Sequence, residues 1–364
     1  MRTSTIVMIA FAVLFGLLAV FVAQSWLNSQ AEQRMRSLEA NKKPINTSTI
    51  VVASKPLRFG NDAEVLEWFD AECENVVGVL GIANSRGWHA STWNLVNDLF
   101  ICFTIKRRWS DWRAALRLGL ASAEALGDAQ ARAHMENGLG VVHKQTGDYP
   151  AARARYLRAL QLATEAGNDR LAAAFHVNLG GLSVNTGDPV TAVQHLRTAL
   201  ACPEYSQADY ATTAHINLGC AFIDLDLLAD AAETLQHALT LCERVGDVVN
   251  ACHSHDNLTE VALRQGDLIA ARHHADQQLQ LARRLGDPVR TAAALDMLAC
   301  AIVTDDPGQA RIHWRAAREI YHELNHRVAP VLEEWLATLD QTRPDPATLH
   351  ALDKERRSRV RKLL

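Results

Sequence analysis

The chain has 364 residues and a formal net charge of -4, from 37 Lys and Arg against 41 Asp and Glu. This balance argues against a nucleic-acid-binding surface spread over the protein, because such a surface needs clustered positive charge. Hydrophobic residues make up 48% of the chain, which excludes general disorder. Aromatic residues make up only 6%, and the dominance of Ala and Leu favours packed helices over sheets.

The amino-terminal segment is uniformly apolar. Residues Ile6 to Ala23 contain no charged or strongly polar side chain. A helix of this length measures about 27 Å, just enough to cross a bilayer core. A cleaved signal peptide is the alternative, although the site after Ser25 matches the small-x-small pattern poorly. We predict a transmembrane anchor over residues 1–27, which contacts the membrane through residues 6–23.

A polar stem and a short β-type run follow the anchor. Residues 28–61 are predicted as stem and linker, and Thr49 to Ala53 as an orphan strand, since one strand cannot form a stable sheet. Residues 1–60 resemble the amino terminus of CpaB-type Flp pilus assembly proteins of bacteria, in which a "VVAxxPLxxG" strand opens a SAF domain. The resemblance ends at Gly60, before a SAF domain is complete.

Internal repetition dominates the rest of the chain. Gly-Asp or Gly-Asn pairs recur every 20 residues, apart from one gap of 59, at Gly127, Gly147, Gly167, Gly187, Gly246, Gly266 and Gly286. Every other segment has a central leucine, at Leu139, Leu179, Leu218, Leu258 and Leu298. Each piece is predicted to be one helix and its turn, because Gly adopts the left-handed conformation that ends a helix and Asp caps the next one.

One copy of the repeat is clearest, with Gly140 followed by Ala152, Tyr156 and Ala159. This pattern resembles tetratricopeptide repeats, in which small residues let paired helices approach and large ones fill the gaps. The resemblance implies an all-α solenoid of helical hairpins over residues 62–340. The 40-residue period is similar to the kinesin-light-chain-like subgroup. Later copies depart from the pattern, as where Asp226 replaces the turn glycine.

The entry to the repeats carries a second resemblance. The segments Ala63–Leu80 and Arg107–Asp128 are similar to the start of the repeat region in actinobacterial AfsR-type and other NB-ARC regulators. That resemblance implies a sensor or regulatory module. Those regulators carry a nucleotide-binding module upstream, whereas this chain contains no GxxxxGK[ST] motif and has the predicted membrane anchor before Ala63. Neither ATPase nor DNA-binding activity is therefore expected of it.

The carboxyl-terminal residues 341–364 are predicted as a basic tail. From Asp353 onward the tail has six basic residues against two acidic ones. We expect a solvated helix end, with a contact to anionic lipid as the alternative. The seven cysteines include no CxxC pair and are expected to be mostly buried free thiols.

One catalytic motif occurs, the HExxH sequence from His322 to His326. On a helix, such histidines share a face and could bind zinc, with Glu323 activating a water molecule. The repeat register instead places Leu324 to His326 at a turn between helices. We therefore expect no catalytic site, no metal site, no cofactor and no enzymatic activity.

A polar ladder is the stronger functional signal. Asparagines lie immediately before the central leucine in three repeats and one place earlier in another, and polar or basic residues follow on the same helices. The predicted peptide-binding groove comprises Asn137, Lys144, Asn178, Asn185, Asn217, Asn257 and Arg264. First helices of such repeats line the inner face, where asparagine amides can hydrogen-bond an extended peptide. The alternative is that each Asn bonds a neighbouring helix.

These features predict a membrane-anchored scaffold that binds a protein or peptide in the groove, with no nucleic-acid partner. The alternatives are a regulatory fragment of an NB-ARC-type regulator and a Flp pilus assembly component. Basic residues follow the anchor at Arg34, Arg36, Lys42 and Lys43. The positive-inside rule then predicts a single-pass bacterial inner-membrane protein with cytoplasmic repeats, whereas the pilus resemblance implies periplasmic ones.

Overall fold

A computed structural model of the chain describes residues 59–207 and 211–342, together with Asp353, Arg356, Arg357 and Val360. The predicted anchor, the stem and the strand at Thr49 to Ala53 lie outside these residues. The described part of the chain is all-α, with no strand, as the composition predicts. No helix within it is long and apolar enough to cross a membrane.

The chain divides into two compact units, of which the first ends at Leu182. Its helices are α1 (Asp62–Ser85), α2 (His89–Asp98), α3 (Phe100–Ile105), α4 (Trp109–Ala125), α5 (Ala129–Gln145), α6 (Tyr149–Glu165) and α7 (Asp169–Asn185), the last of which continues past the unit boundary. The start of this unit has an aromatic core. The ring of Phe103 lies edge-on to Phe69 at 5.0 Å and is stacked with Trp112 at 6.2 Å.

The second unit begins at Ser183. Its described helices are α8 (Pro189–Leu200), α9 (Pro203–Ser206), α10 (Thr212–Asp224), α11 (Leu228–Val245), α12 (Val248–Gln265), α13 (Leu268–Leu285), α14 (Pro288–Ile302), α15 (Pro307–Glu323) and α16 (Ala329–Thr342). Helices α12 to α16 share a core with buried Trp314, Tyr321 and Trp335. Four of these helices start on a proline at the first position, where the missing N–H costs nothing.

The turns between helices follow the predicted punctuation. All seven predicted turn glycines have positive φ, from 64° at Gly167 and Gly286 to 81° at Gly147. The aspartate that follows, or the asparagine after Gly167, caps the next helix, as where the Asp128 carboxylate accepts the N–H of Ala131 at 2.9 Å. Three other residues keep the left-handed conformation without glycine, namely Arg107 (φ 53°), Asp226 (φ 59°) and Asn325 (φ 49°). The fold therefore preserves the turn where the sequence pattern fails.

Close packing inside each hairpin depends on a small residue. A Cβ atom added to Gly140 would lie 2.5 Å from ring atoms of Tyr156, and one added to Gly219 would lie 2.5 Å from Leu235 Cγ. Ala152, on the same helix as Tyr156, is fully buried. These contacts confirm the predicted pairing of small and large residues between the two helices of a repeat.

The prediction of a solvated tail is wrong for the tail residues that the structure describes. Asp353, Arg356, Arg357 and Val360 have helical backbone, and Arg356 and Arg357 are only 4% and 6% exposed. The spacing i, i+3, i+4 and i+7 places these residues on one helix face. That face packs within the second unit, where Val360 joins its hydrophobic core.

Candidate functional site

Two of the predicted groove residues are bonded to each other in the first unit. Asn178 Nδ2, on α7, donates a hydrogen bond of 2.7 Å to Asn137 Oδ1, on α5. These two helices are the first helices of consecutive repeats, and the bond joins residues 41 positions apart. Within the described part of the chain, the amide NH₂ of Asn137 and the carbonyl oxygen of Asn178 form no other hydrogen bond. The pair therefore offers one donor and one acceptor, which is what a peptide group requires.

Lys144 lies two turns beyond Asn137 on α5 and hence on the same side of that helix. Its side chain is half-buried, and burial lowers the pKa of the ammonium below its usual value. It forms no ion pair with any residue that the structure describes. A partly desolvated ammonium without a carboxylate favours an anionic ligand, because a nearby negative charge would stabilise the charged form.

The predicted groove residues of the second unit behave differently. Asn185 is exposed at the end of α7, and Asn217 is half-buried on α10. Asn257 is engaged internally, since its Nδ2 donates to the carbonyl of His253 at 2.9 Å and its Oδ1 accepts from Cys220 at 3.2 Å. At this position the structure favours the alternative that the asparagine bonds neighbouring groups of its own chain.

Arg264 is also held by its own unit. Its Nη1 donates to the carbonyl of Ile223 at 2.9 Å, and its Nε donates to Glu260 Oε1 at 2.7 Å. A longer contact of 3.8 Å reaches Asp226. Arg264 therefore links α12 to α10. Because its guanidinium is already paired with Glu260, the structure does not support the expectation that it attracts an acidic ligand.

Sequence analysis missed a buried ionic cluster that the tail forms with the second unit. Arg356 Nη1 lies 2.8 Å from Asp296 Oδ1, and Arg356 Nη2 donates to Asp353 Oδ1 at 2.8 Å. Arg357 Nε donates to Asp353 Oδ2 at 2.9 Å, and Arg357 also pairs with Glu260. These carboxylates raise the pKa of Arg356 despite its burial, while the two arginines lower the pKa of Asp353. In the sequence, the spacing Asp353-x-x-Arg356-Arg357 was the feature that could have indicated this cluster, because it places one acidic and two basic side chains on the same helix face.

The HExxH motif does not form a shared helix face. Helix α15 ends at Glu323, and Asn325 adopts a left-handed turn before His326. His326 stacks on Tyr321, with ring centroids 5.0 Å apart. Among the described residues, no group of three or more His, Cys, Asp or Glu side chains could hold a metal ion. The backbone confirms the prediction that Leu324 to His326 form a turn between helices.

Comparisons with known proteins agree with this geometry. Residues 130–204 match the family model "Tetratricopeptide repeat". The fold is a tetratricopeptide-type helical repeat. No curated protein matches the sequence.

Several solved structures share the fold. BtubC (BKLC) from P. vanneervenii is 19% identical with a TM-score of 0.53, over 60% of this chain and 92% of that one. The Rap conjugation gene regulator of the plasmid pLS20, solved with the Phr* peptide, is 14% identical with a TM-score of 0.52, over 76% and 81%. Aspartyl phosphate phosphatase F from Bacillus subtilis is 10% identical with a TM-score of 0.54, over 92% and 94%. These identities establish the fold alone. The resemblances to NB-ARC regulators and CpaB-type proteins remain hypotheses.

Proposed function

We propose that this protein is a non-catalytic, membrane-anchored module that binds a peptide or protein on the first-helix surface of its first unit. The observation that carries the proposal is the Asn137–Asn178 amide pair, with its unused donor and acceptor. An extended peptide could bond both groups with its own backbone, which would give affinity that does not depend on side chains. Lys144 would then select for ligands with an acidic side chain.

The fold is compatible with this role. One protein with the same fold was solved with a bound peptide, the Rap regulator with Phr*. That likeness favours a second candidate, a regulatory role in which the repeats hold a partner ATPase or transcription module inactive until a ligand arrives. A pilus assembly role depends only on residues 1–60, and nothing in the repeats adds to it.

Peptide selection on residues 62–364 tests the binding proposal. We expect a random peptide library to yield ligands enriched in Asp and Glu. Asn178→Ala should weaken binding of the best ligand by about 1–3 kcal/mol, because a buried peptide group would lose its partner. Lys144→Gln should lower the affinity for acidic ligands and reduce the salt dependence of their binding. Asn75→Ala is the control, since Asn75 is exposed on α1 and is not one of the predicted groove residues. Unchanged affinity in Asn178→Ala and Lys144→Gln would place the site elsewhere.

The anchor is proposed from residues 6–23, with the repeats in the cytoplasm. Alkaline phosphatase requires disulfides that form only in an oxidising compartment. A fusion of that enzyme after Leu364 should therefore be inactive. An active fusion would place the repeats in the periplasm and favour the pilus assembly role.

A further inference from the structure

The two buried arginines of the tail occupy the first-helix surface of the second unit. Glu260 lies on α12 and Cys300 on α14, and they are 40 residues apart, which is one repeat. Arg357 pairs with Glu260, and Arg356 Nη2 lies 2.9 Å from Cys300 Sγ. Glu260 is three residues beyond Asn257 on the same helix. The tail therefore sits at the register where the sequence predicts a ligand groove.

The pocket around Arg356 suits a guanidinium group. The guanidinium carbon lies 5.7 Å from the ring centroid of Trp314 and 5.4 Å from that of Trp335. Trp314 Nε1 donates to Asp296 Oδ1 at 2.9 Å, which fixes the carboxylate that receives Arg356. Two aromatic faces and a preset carboxylate favour Arg over Lys, because the planar group can stack and form several hydrogen bonds at once.

The acidic groups of this pocket need a cation. Asp296 is only 2% exposed, and the Glu260 side chain is 14% exposed. Without Arg356, Asp296 would keep its bond from Trp314 but would lose its ion pair. A buried carboxylate without a counter-charge is strongly unfavourable, so an emptied pocket would select for another guanidinium.

A partner helix could reproduce every described contact of the tail, since these contacts come from one helix face. A partner helix could also form one contact that the described tail residues do not make. Asn217 lies one repeat earlier than Asn257, is half-buried, and forms no hydrogen bond with the residues that the structure describes. A longer ligand along the same register would reach this amide.

We propose that this surface of the second unit, defined by Glu260, Asp296, Trp314 and Trp335, binds an arginine-bearing helix of a partner protein, and that the carboxyl-terminal tail occupies it until the partner displaces it. The site differs in charge from the surface on the first unit, which favours acidic ligands. Failure of either proposal would leave the other standing, because they share no residue.

A labelled peptide of residues 349–364 is the probe, and its binding to the full chain in detergent is measured by fluorescence anisotropy. In the wild type the tethered tail competes at high effective concentration, so binding should be weak. Arg356→Ala with Arg357→Ala in the chain should raise peptide affinity at least tenfold. The same peptide with Ala at both arginine positions should not bind.

Two further variants guard against misfolding and general charge effects. Val360→Asp should also release the tail, because Val360 is buried, while it leaves the acidic pocket intact. This variant decides the matter if the double alanine variant does not fold. Arg272→Ala with Arg284→Ala removes the same charge from exposed positions of α13 in the same unit and should leave affinity at the wild-type value.

The pocket itself is tested in the variant that has lost its tail contact. Glu260→Gln in the Val360→Asp background should lower the affinity for the tail peptide at least tenfold. The affinity of the first-unit surface, at Asn178 and Lys144, for acidic peptides should stay unchanged. Equal peptide affinity in the wild type and in the folded tail-released variants would overturn the proposal and assign the tail a purely structural role. Tail-released chains that bind anionic vesicles but not the peptide would also overturn it.

Discussion

Replacing Gly140 with alanine tests how the paired helices of a repeat approach each other. In an exposed helix, Gly→Ala stabilises by about 1 kcal/mol, because alanine loses less backbone entropy on folding. At Gly140 the new methyl group would lie 2.5 Å from Cδ1 and Cε1 of Tyr156, a ring that is 1% exposed. The ring cannot move into solvent, so α5 and α6 must separate or Tyr156 must leave its rotamer.

Overpacking of this kind typically costs about 1–3 kcal/mol. A contact this short should cost an amount near the upper end of that range, and the higher helix propensity of alanine offsets about 1 kcal/mol of the cost. We therefore expect Gly140→Ala to lower the free energy of unfolding by about 1–2 kcal/mol.

Urea denaturation followed by circular dichroism measures the effect. Gly78→Ala is the matched control, because Gly78 lies within helix α1 of the same unit and nothing lies within 4 Å of its added Cβ. It should stabilise by about 0.5–1 kcal/mol. A partial rescue is expected when Tyr156→Leu is combined with Gly140→Ala, measured as coupling in a double-mutant cycle. The reasoning fails if Gly140→Ala stabilises as much as the control.

Three further outcomes are expected. Arg107→Gly should raise the free energy of unfolding by about 0.5–1 kcal/mol, because Arg107 holds a left-handed turn at φ 53°; an unchanged urea midpoint would contradict this. Burial lowers the pKa of His215 and His255 to about 4 from 6.5, so the stability from their neutral forms is complete above pH 6.5 and is lost as the pH falls towards 4, by at most about 3 kcal/mol each. Replacing both with Gln should flatten this slope, and equal slopes would refute the assignment. Finally, His322→Ala with Glu323→Gln should leave zinc content by mass spectrometry at the wild-type value, and stoichiometric zinc lost in the variant would restore the metal hypothesis.

The repeat fold was predictable because its signals are local. A glycine that ends a helix and an aspartate that caps the next act within a few residues, so their positions in the sequence set the turns directly. Asp226 shows the limit of this reasoning. It breaks the pattern in the sequence but keeps the left-handed turn, because the packed helices on both sides dictate the backbone.

The candidate sites were only partly predictable, because a ladder of equivalent positions does not reveal its bonding. Asn178 and Asn257 occupy the same place in their repeats, and each contacts the preceding first helix. Asn178 does so by donating to Asn137, whereas Asn257 accepts from Cys220 and donates to His253 of its own helix. The tail was missed for a different reason. Its charge count indicates a solvated helix, and the carboxylates that bury Arg356 and Arg357 lie 60 and 97 residues away in the sequence.

The same separation affects when the second unit is completed during synthesis. Contacts within a hairpin join residues close in the chain, such as Trp314 and Asp296, 18 positions apart. The bond between Arg357 and Glu260 closes a far longer loop, because the two residues are 97 positions apart, and Arg357 is added by the ribosome only after helix α16. Repeats that have already folded would therefore display an open acidic pocket while the chain is still being made. A partner present at the ribosome would meet that pocket before the tail does.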